Sequence, residues 1–389
     1  LCARHVAQSG SVIGRTVSAR WSLVAALCAA AGTACTRSGA ASSAPAGTPA
    51  VPAAGEKLYI VNQGGASIAV VDQSRFVVDT VIDLRTLGFT ANAKPHHIAV
   101  EADGRAWYVS LIGDGRVLKF SRANVLLGQV RMETPGLLTL DPVHDSLYVG
   151  RSMTAVNPPR SLGVIARSAF TLVEEQEITM PRPHAIATSG DGQWVHTASL
   201  AENRIASVET RTGRVTLSLV PGAARSLVTF AVSPDGKTMV AGGELSNSLL
   251  VFDLTQPPPL KPVREFPLDG KPWEPRFMPD GKHVLVTLLT KNAVADVDLS
   301  TGAVVRVLSD KLAQPYSMVI RRDGRYAFVV RQNTGALAPG QSGHEMHGMG
   351  ASDHMTDGWL TIFDLRSGAV VKTLMLGAGP TGMSAAGVR

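Results

Sequence analysis

One recurring pattern limits what this chain can fold into. The segments KPHHIAVEADG (94 to 104), RPHAIATSGDG (182 to 192), KPWEPRFMPDG (271 to 281) and QPYSMVIRRDG (314 to 324) each place a Pro nine residues before a Gly, with Asp at the eighth position. SLVTFAVSPDG is a weaker copy with Leu227 in the Pro position; TPGLLTLDPVH begins at Pro135 without the Asp-Gly pair, and a seventh copy begins at Pro380. The anchors 95, 135, 183, 227, 272, 315 and 380 lie 40, 48, 44, 45, 43 and 65 residues apart. An apolar strand precedes each Asp-Gly turn and another follows it, as in AWYVS, WVHTAS, TMVAGG, HVLVTLL and YAFVV. A third strand ends in an acidic residue and a Ser/Thr-Gly turn (AVADVDLSTG, WLTIFDLRSG, RIASVETRTG), and a fourth reads AVVRVL or AVVKTL. Four short strands in a unit of this length predict propeller blades. Asp298, Asp364 and Glu209 stand where a short acidic side chain accepts turn amides, a structural role.

The count of strands at the two ends predicts how the ring closes. Only nine residues follow Pro380, enough for one strand, while KLYIVN (57 to 62), SIAVVD (67 to 72) and VVDTVID (77 to 83) supply three without a partner unit. The expected fold is therefore all-β: a seven-bladed β-propeller of four-stranded antiparallel blades, closed by N- and C-terminal strands in one blade, which removes the sheet edge at the seam. With 38 Gly, 23 Pro and 17% charged residues, a coiled coil, a helical bundle and a disordered charged chain are excluded. The formal charge of +6 includes Arg4, Arg15 and Arg20 ahead of any acidic residue, leaving +3 from Cys35 onward, too little and too scattered for a nucleic-acid partner.

Residues 1–35 read as an export signal: Arg15 and Arg20 precede the short apolar run WSLVAALCAAAGTAC, which ends in small residues. Gly32-Thr33-Ala34-Cys35 resembles a lipoprotein cleavage box. Acylation of Cys35 would tether the protein to a membrane surface; the alternative is simple cleavage after Ala34. Residues 36–55 are mostly Ala, Ser, Pro and Gly with Val51 the one larger apolar side chain, expected to be a flexible tether, and 56–389 are expected to form the propeller. The three cysteines, Cys2, Cys28 and Cys35, all precede it. Disulfides, a c-type haem attachment, a thiolate zinc site, a blue-copper centre and a cysteine nucleophile are thereby excluded from the folded part. The expected location is the periplasm or cell surface.

With these residues in view, the unit resembles the YVTN-type propeller repeat of exported seven-bladed proteins: Tyr59-Ile60-Val61-Asn62 is closest to the name motif, and Tyr108-Val109-Ser110 and Tyr148-Val149-Gly150 are looser copies. It is also similar to lactonase-like and cytochrome d1-like propellers. The resemblance implies the fold over about 56 to 389. It leaves activity open, because binding proteins, lactonase-like enzymes and copper or haem oxidoreductases share the scaffold.

Candidate chemistry gathers on the face where inner strands begin. The residues after the anchors are His96, Gly136, His184, Val228, Trp273, Tyr316 and Thr381, followed by His97 in the first and Glu274 in the fifth. Histidines at equivalent sites around a channel mouth suit a metal or a ligand; the alternative is that they cap blade tops by bonding neighbouring carbonyls. Strand alternation predicts that at most one of His96 and His97 faces the channel. Trp273, Glu274, Arg276 and Tyr316 are expected to form a ligand-binding rim.

The longest loop, 331–358, accounts for the 65-residue spacing and holds His344, Met346, His347, Met349, His354 and Met355. Imidazole beside thioether is the donor mix for copper, and this loop is expected to fold over His96 and His184. His144, His196 and His283 have structural explanations. No G-x-S-x-G elbow, P-loop or H-E-x-x-H helix is present, so no nucleotide site is expected. The leading expectation is a binding or scaffold propeller that takes an unidentified protein or small molecule at the anchor rim, with copper capture or delivery as its sharpest form. The alternative is an enzyme, either a copper-dependent oxidoreductase or a lactonase-like hydrolase using Glu274, Arg276, Arg182 and Arg225.

Overall fold

The computed structural model describes residues 57–153, 157–332 and 356–387, all within one compact unit. These residues contain 28 strands, numbered β1 to β28 in chain order, grouped into seven four-stranded antiparallel sheets. The first sheet runs in the order β28 (Pro380–Ala385), β1 (Lys57–Asn62), β2 (Ser67–Asp72) and β3 (Val77–Asp83). Leu58 pairs with Ala385, Tyr59 with Ser384 and Ile60 with Met383. The last strand thus serves as the innermost strand of the blade begun at Lys57, as the strand count requires.

The other inner strands are β4 (Pro95–Val100), β8 (Pro135–Leu140), β12 (Pro183–Thr188), β16 (Leu227–Val232), β20 (Pro272–Phe277) and β24 (Pro315–Ile320). Every one begins at its anchor. The residue just before the anchor is left-handed at Lys94, Thr134, Arg182, Ser226, Gln314 and Gly379, with φ between 43° and 58°. This local kink turns the incoming chain into the channel wall. At the far end of the strand, Gly104, Gly192, Gly236, Gly281 and Gly324 take φ of 65° to 73°, a conformation that a Cβ disfavours. The preceding Asp accepts the amide two residues ahead of it, as Asp280 does from Lys282 at 2.8 Å and Asp323 from Arg325 at 2.9 Å.

Asp298 and Asp364 cap their turns in the expected way, accepting from the Ser300 and Arg366 amides at 2.7 and 2.9 Å. Glu209 differs: its longer side chain takes the Thr212 hydroxyl and the Arg214 guanidinium.

Stability comes from blade-on-blade packing. Seven apolar clusters fill the joints between neighbouring blades. In one, Tyr59, Val61, Ile68 and Val70 of the first blade pack on Ile98, Trp107, Val109 and Phe120 of the second, with Trp107 stacked on Phe120 at 4.2 Å. The joint between the last blade and the first holds Leu58, Ile60, Phe328, Ile362 and Met383. Each fully buried Leu, Ile, Val or Met contributes about 1.5 to 3 kcal/mol, and the closed ring leaves no joint out.

Candidate functional site

The seven inner strands enclose a cavity of about 420 Å³. At the anchor-rim mouth it is lined by His96, His97, His184, Trp273, Glu274, Arg276, Tyr316 and Ser317; its middle is lined by Leu138, Ile186, Val228 and Phe230, among others. Glu101, Asp103, Arg105, Asp141 and Arg167 stand at the other end. The four rim residues named from sequence, Trp273, Glu274, Arg276 and Tyr316, line the same cavity as the three histidines, from other blades.

His96 and His97 both line this cavity, contrary to the expectation from alternation. The reason is a register slip, just after the anchor, in the pairing of every inner strand: between Pro95 and Ile98, Pro135 and Leu138, Pro183 and Ala185, Leu227 and Phe230, Pro272 and Pro275, and Pro315 and Met318. The seventh lies in β1 between Ile60 and Asn62, opposite β28. A bulge breaks the period of two where the rim residues sit.

Each rim histidine is held by a neighbouring blade. His184 Nδ1 lies 2.9 Å from the Val228 carbonyl, His97 Nδ1 accepts the Leu138 amide at 3.1 Å, and His96 Nδ1 lies 3.2 Å from Gln63 Oε1. A carbonyl only accepts, so Nδ1 carries the hydrogen in His184, and likewise in His96. In His97 it is the Nε2 that carries it. Burial, with the Arg276 charge beside it, pushes the His97 imidazole down to about 3, so this ring is neutral. Blade capping thus accounts for part of what these histidines do. Among the described residues no three His, Cys, Asp or Glu side chains converge on a metal position.

Glu274 and Arg276 form an ion pair on β20, with both side chains largely buried. Arg276 Nε also donates to the Met318 carbonyl at 3.0 Å, tying this blade to the next. Burial raises the Glu274 carboxyl, against the pull of Arg276, Ser317 and the Met318 amide. Burial, and Glu274 nearby, push the Tyr316 hydroxyl well above its ordinary value, and its ring lies 5.0 Å from Trp273. This end of the cavity offers two aromatic rings tilted at 48° to each other beside one charge pair.

Arg182 and Arg225 do not line the cavity. The left-handed backbone at Arg182 precedes the inner strand, and its Nη2 donates to the Met153 carbonyl; Arg225 pairs with Glu265 and bonds the Pro221 carbonyl. His344, Met346, His347, Met349, His354 and Met355 lie outside the described residues, as does Cys35. The described strands that bound the His/Met segment do end on the rim: Arg331 pairs with Pro315, and Asp357 with Ala378, two residues before the Pro380 anchor.

The far mouth escaped the sequence reading. Arg167 pairs with Glu101 at 2.8 Å, and Tyr108 and Tyr148 donate to Glu101 and Asp141 at 2.8 and 3.4 Å. The signal was there: six residues beyond the anchor the repeats read Glu101, Asp141, Ser189, Ser233, Met278 and Arg321, a column that is mostly polar. Gln63 carried no signal, since only the packing of the first blade against the second brings it to His96.

His196 is 1% exposed, its Nδ1 2.8 Å from Ser207 Oγ, and burial pushes it down to about 4. The unfolded chain, with an ordinary His near 6.5, binds this proton first, so stability falls as pH drops from 6.5 toward 4 and is flat above. At pH 5 the loss from His196 is about 2 kcal/mol. Urea unfolding at pH 7 and 5 should show it, and His196→Gln should shrink the difference by that amount, leaving the comparable loss from His97, whose imidazole is held near 3. Carboxylates such as Asp191, held below their ordinary value by Ser189 and the Gln193 amide against burial, act only at lower pH. An unchanged urea midpoint between pH 7 and 5 contradicts this reading.

No protein-family model matches the chain, and no curated protein does. Solved structures match. The periplasmic gluconolactonase PpgL of Pseudomonas aeruginosa superposes with a TM-score of 0.64 at 19% identity, over 86% of this chain and 99% of that one. Dihydro-heme d1 dehydrogenase NirN, in complex with DHE, gives 0.60 at 17%, over 87% and 77%. A protein of unknown function from Desulfotomaculum acetoxidans gives 0.67 at 12%, over 85% and 98%. At such identities the likeness is one of fold, and the YVTN-type repeat stays a resemblance carried by the residues quoted above.

Proposed function

We propose that this is an exported propeller that binds a small organic molecule in its central cavity, entered from the anchor rim. The observation that carries the reading is the cavity itself: about 420 Å³, walled by all seven inner strands, apolar in its middle and polar at its ends. That size and lining are those of small-molecule sites. Trp273 and Tyr316 offer aromatic faces to the body of a ligand, while the Glu274–Arg276 pair and the His97 Nε2–H offer hydrogen bonds to its polar head. Copper carriage by residues 344–355 is a refinement of the same reading, supported by the two ends of that segment standing at this mouth.

The test is a fragment library that includes lactones, screened by thermal shift and ligand-observed NMR against the full chain and against Thr229→Trp. Thr229 is half-buried on the cavity wall, so the indole fills the space. Bound fragments should lose at least about tenfold in affinity in the variant. Fragments that bind both proteins equally, or none that bind at all, reject the cavity as the site; turnover of a lactone moves the reading to a hydrolase.

A further inference from the structure

We infer that His96 and His184 form a two-coordinate site for a soft monovalent ion, Cu(I), inside the anchor-rim mouth, built wholly from described residues. This goes beyond the cavity reading and does not need it.

The two histidines occupy the same position of the second and fourth blades. The third blade has Gly136, which carries no side chain, at the equivalent position. A Cβ at Gly136 would come within 2.5 Å of the Arg151 carbonyl, so the backbone packing itself keeps this position bare. The two rings approach with their centroids 6.4 Å apart, at 3% and 2% exposure. With a metal–nitrogen distance of about 2 Å and a ring radius of about 1.1 Å, two imidazoles on opposite sides of one ion put their ring centres about 6.3 Å apart; at a tetrahedral angle the figure is about 5.1 Å. The observed spacing fits the near-linear arrangement.

Protonation states agree with that geometry. In both rings Nδ1 donates, to Gln63 Oε1 in His96 and to the Val228 carbonyl in His184, which leaves Nε2 as the lone-pair nitrogen. An outer carbonyl or amide oxygen on the second ring nitrogen is how ligating histidines are ordinarily fixed. His97 is excluded as a third ligand through Nδ1, which already accepts the Leu138 amide. Zinc calls for four ligands and Cu(II) for a tetragonal set, and among the described residues no third His, Cys, Asp or Glu joins the pair. Cu(I), which accepts two nitrogen donors in line, is the ion that this pair suits.

The experiment uses the full chain under reducing conditions, with Cu(I) supplied as its bicinchoninate complex and transfer followed optically. The wild type, the triple variant His344→Ala/His347→Ala/His354→Ala, and His184→Gln are compared. Expected is one Cu(I) retained by the triple variant and affinity lowered more than 100-fold in His184→Gln. Gln63→Leu, a positioning change, should weaken the site about 10- to 100-fold. X-ray absorption on the Cu(I)-loaded triple variant reads the site without depending on the folding of His184→Gln; two nitrogen neighbours and no sulfur are expected. Loss of all Cu(I) in the triple variant, sulfur in the first shell, or affinity indifferent to His184→Gln each overturns the proposal. None of these outcomes bears on fragment binding in the cavity, so the two readings fail separately.

Discussion

A chain ending at Gly379 should not fold cooperatively. Removing 380–389 takes away the innermost strand of the first blade, so β1 loses its inner partner across the register from Leu58 to Asn62 and keeps only β2. Thr381, Met383, Ser384, Ala385 and Ala386 are all buried, Met383 completely, and β28 also packs against β4 and β24. Emptying the Met383 site alone costs about 2 to 5 kcal/mol. The exposure of Leu58 and Ile60 brings the loss to about 5 to 11 kcal/mol, and the open sheet edge adds to it, which is comparable with the roughly 5 to 15 kcal/mol that holds an ordinary domain. Calorimetry should show no sharp transition for the truncated chain, and Met383→Ala a reduced but cooperative one. A truncated protein melting sharply within a few degrees of the full chain would mean that the ring does not depend on its seam.

That seam was legible because strands can be counted: three at one end and one at the other leave a single way to complete a blade. Anchor positions were legible for a related reason. Six of the seven inner strands begin after a left-handed residue and five end in a turn with Gly at positive φ, so Pro and Asp-Gly mark most of their ends in the sequence. The orientation of rim side chains was not legible. Period-two reasoning separated His96 from His97, but the bulge after each anchor is a backbone feature with no residue signature, and it brings both onto the cavity wall. Arg182 and Arg225 look, in the sequence, as near the channel as Arg276. What distinguishes Arg276 is that it lies within the inner strand, while the other two precede their strands. Gln63 meets His96 through the packing of two consecutive blades, a contact that no local pattern encodes.

The second large effect concerns the charge pair at the cavity mouth. Arg276→Met should destabilise the protein by about 3 to 5 kcal/mol, because the Glu274 carboxylate stays buried without the guanidinium that offsets its desolvation. Burial already raises this carboxyl in the intact protein, and removing Arg276 raises it further. The folded variant then binds a proton at a pH where the unfolded chain does not, so its stability declines as pH rises through the new folded value. The penalty is therefore largest at pH 8 and shrinks toward pH 5, opposite in sign to the His196 effect. Replacing both partners, Glu274→Leu with Arg276→Met, leaves no buried charge and should return stability to within about 1 kcal/mol of the parent. Urea unfolding of the parent and both variants at pH 5 and 8 checks this. A single variant as stable as the parent, or a double variant as unstable as the single, contradicts it. If the double variant is stable yet binds cavity fragments poorly, the pair costs the fold little and serves the ligand. That outcome would assign the two charges to what they present to the cavity; a double variant that is stable and binds fragments as the parent does would assign them no such role.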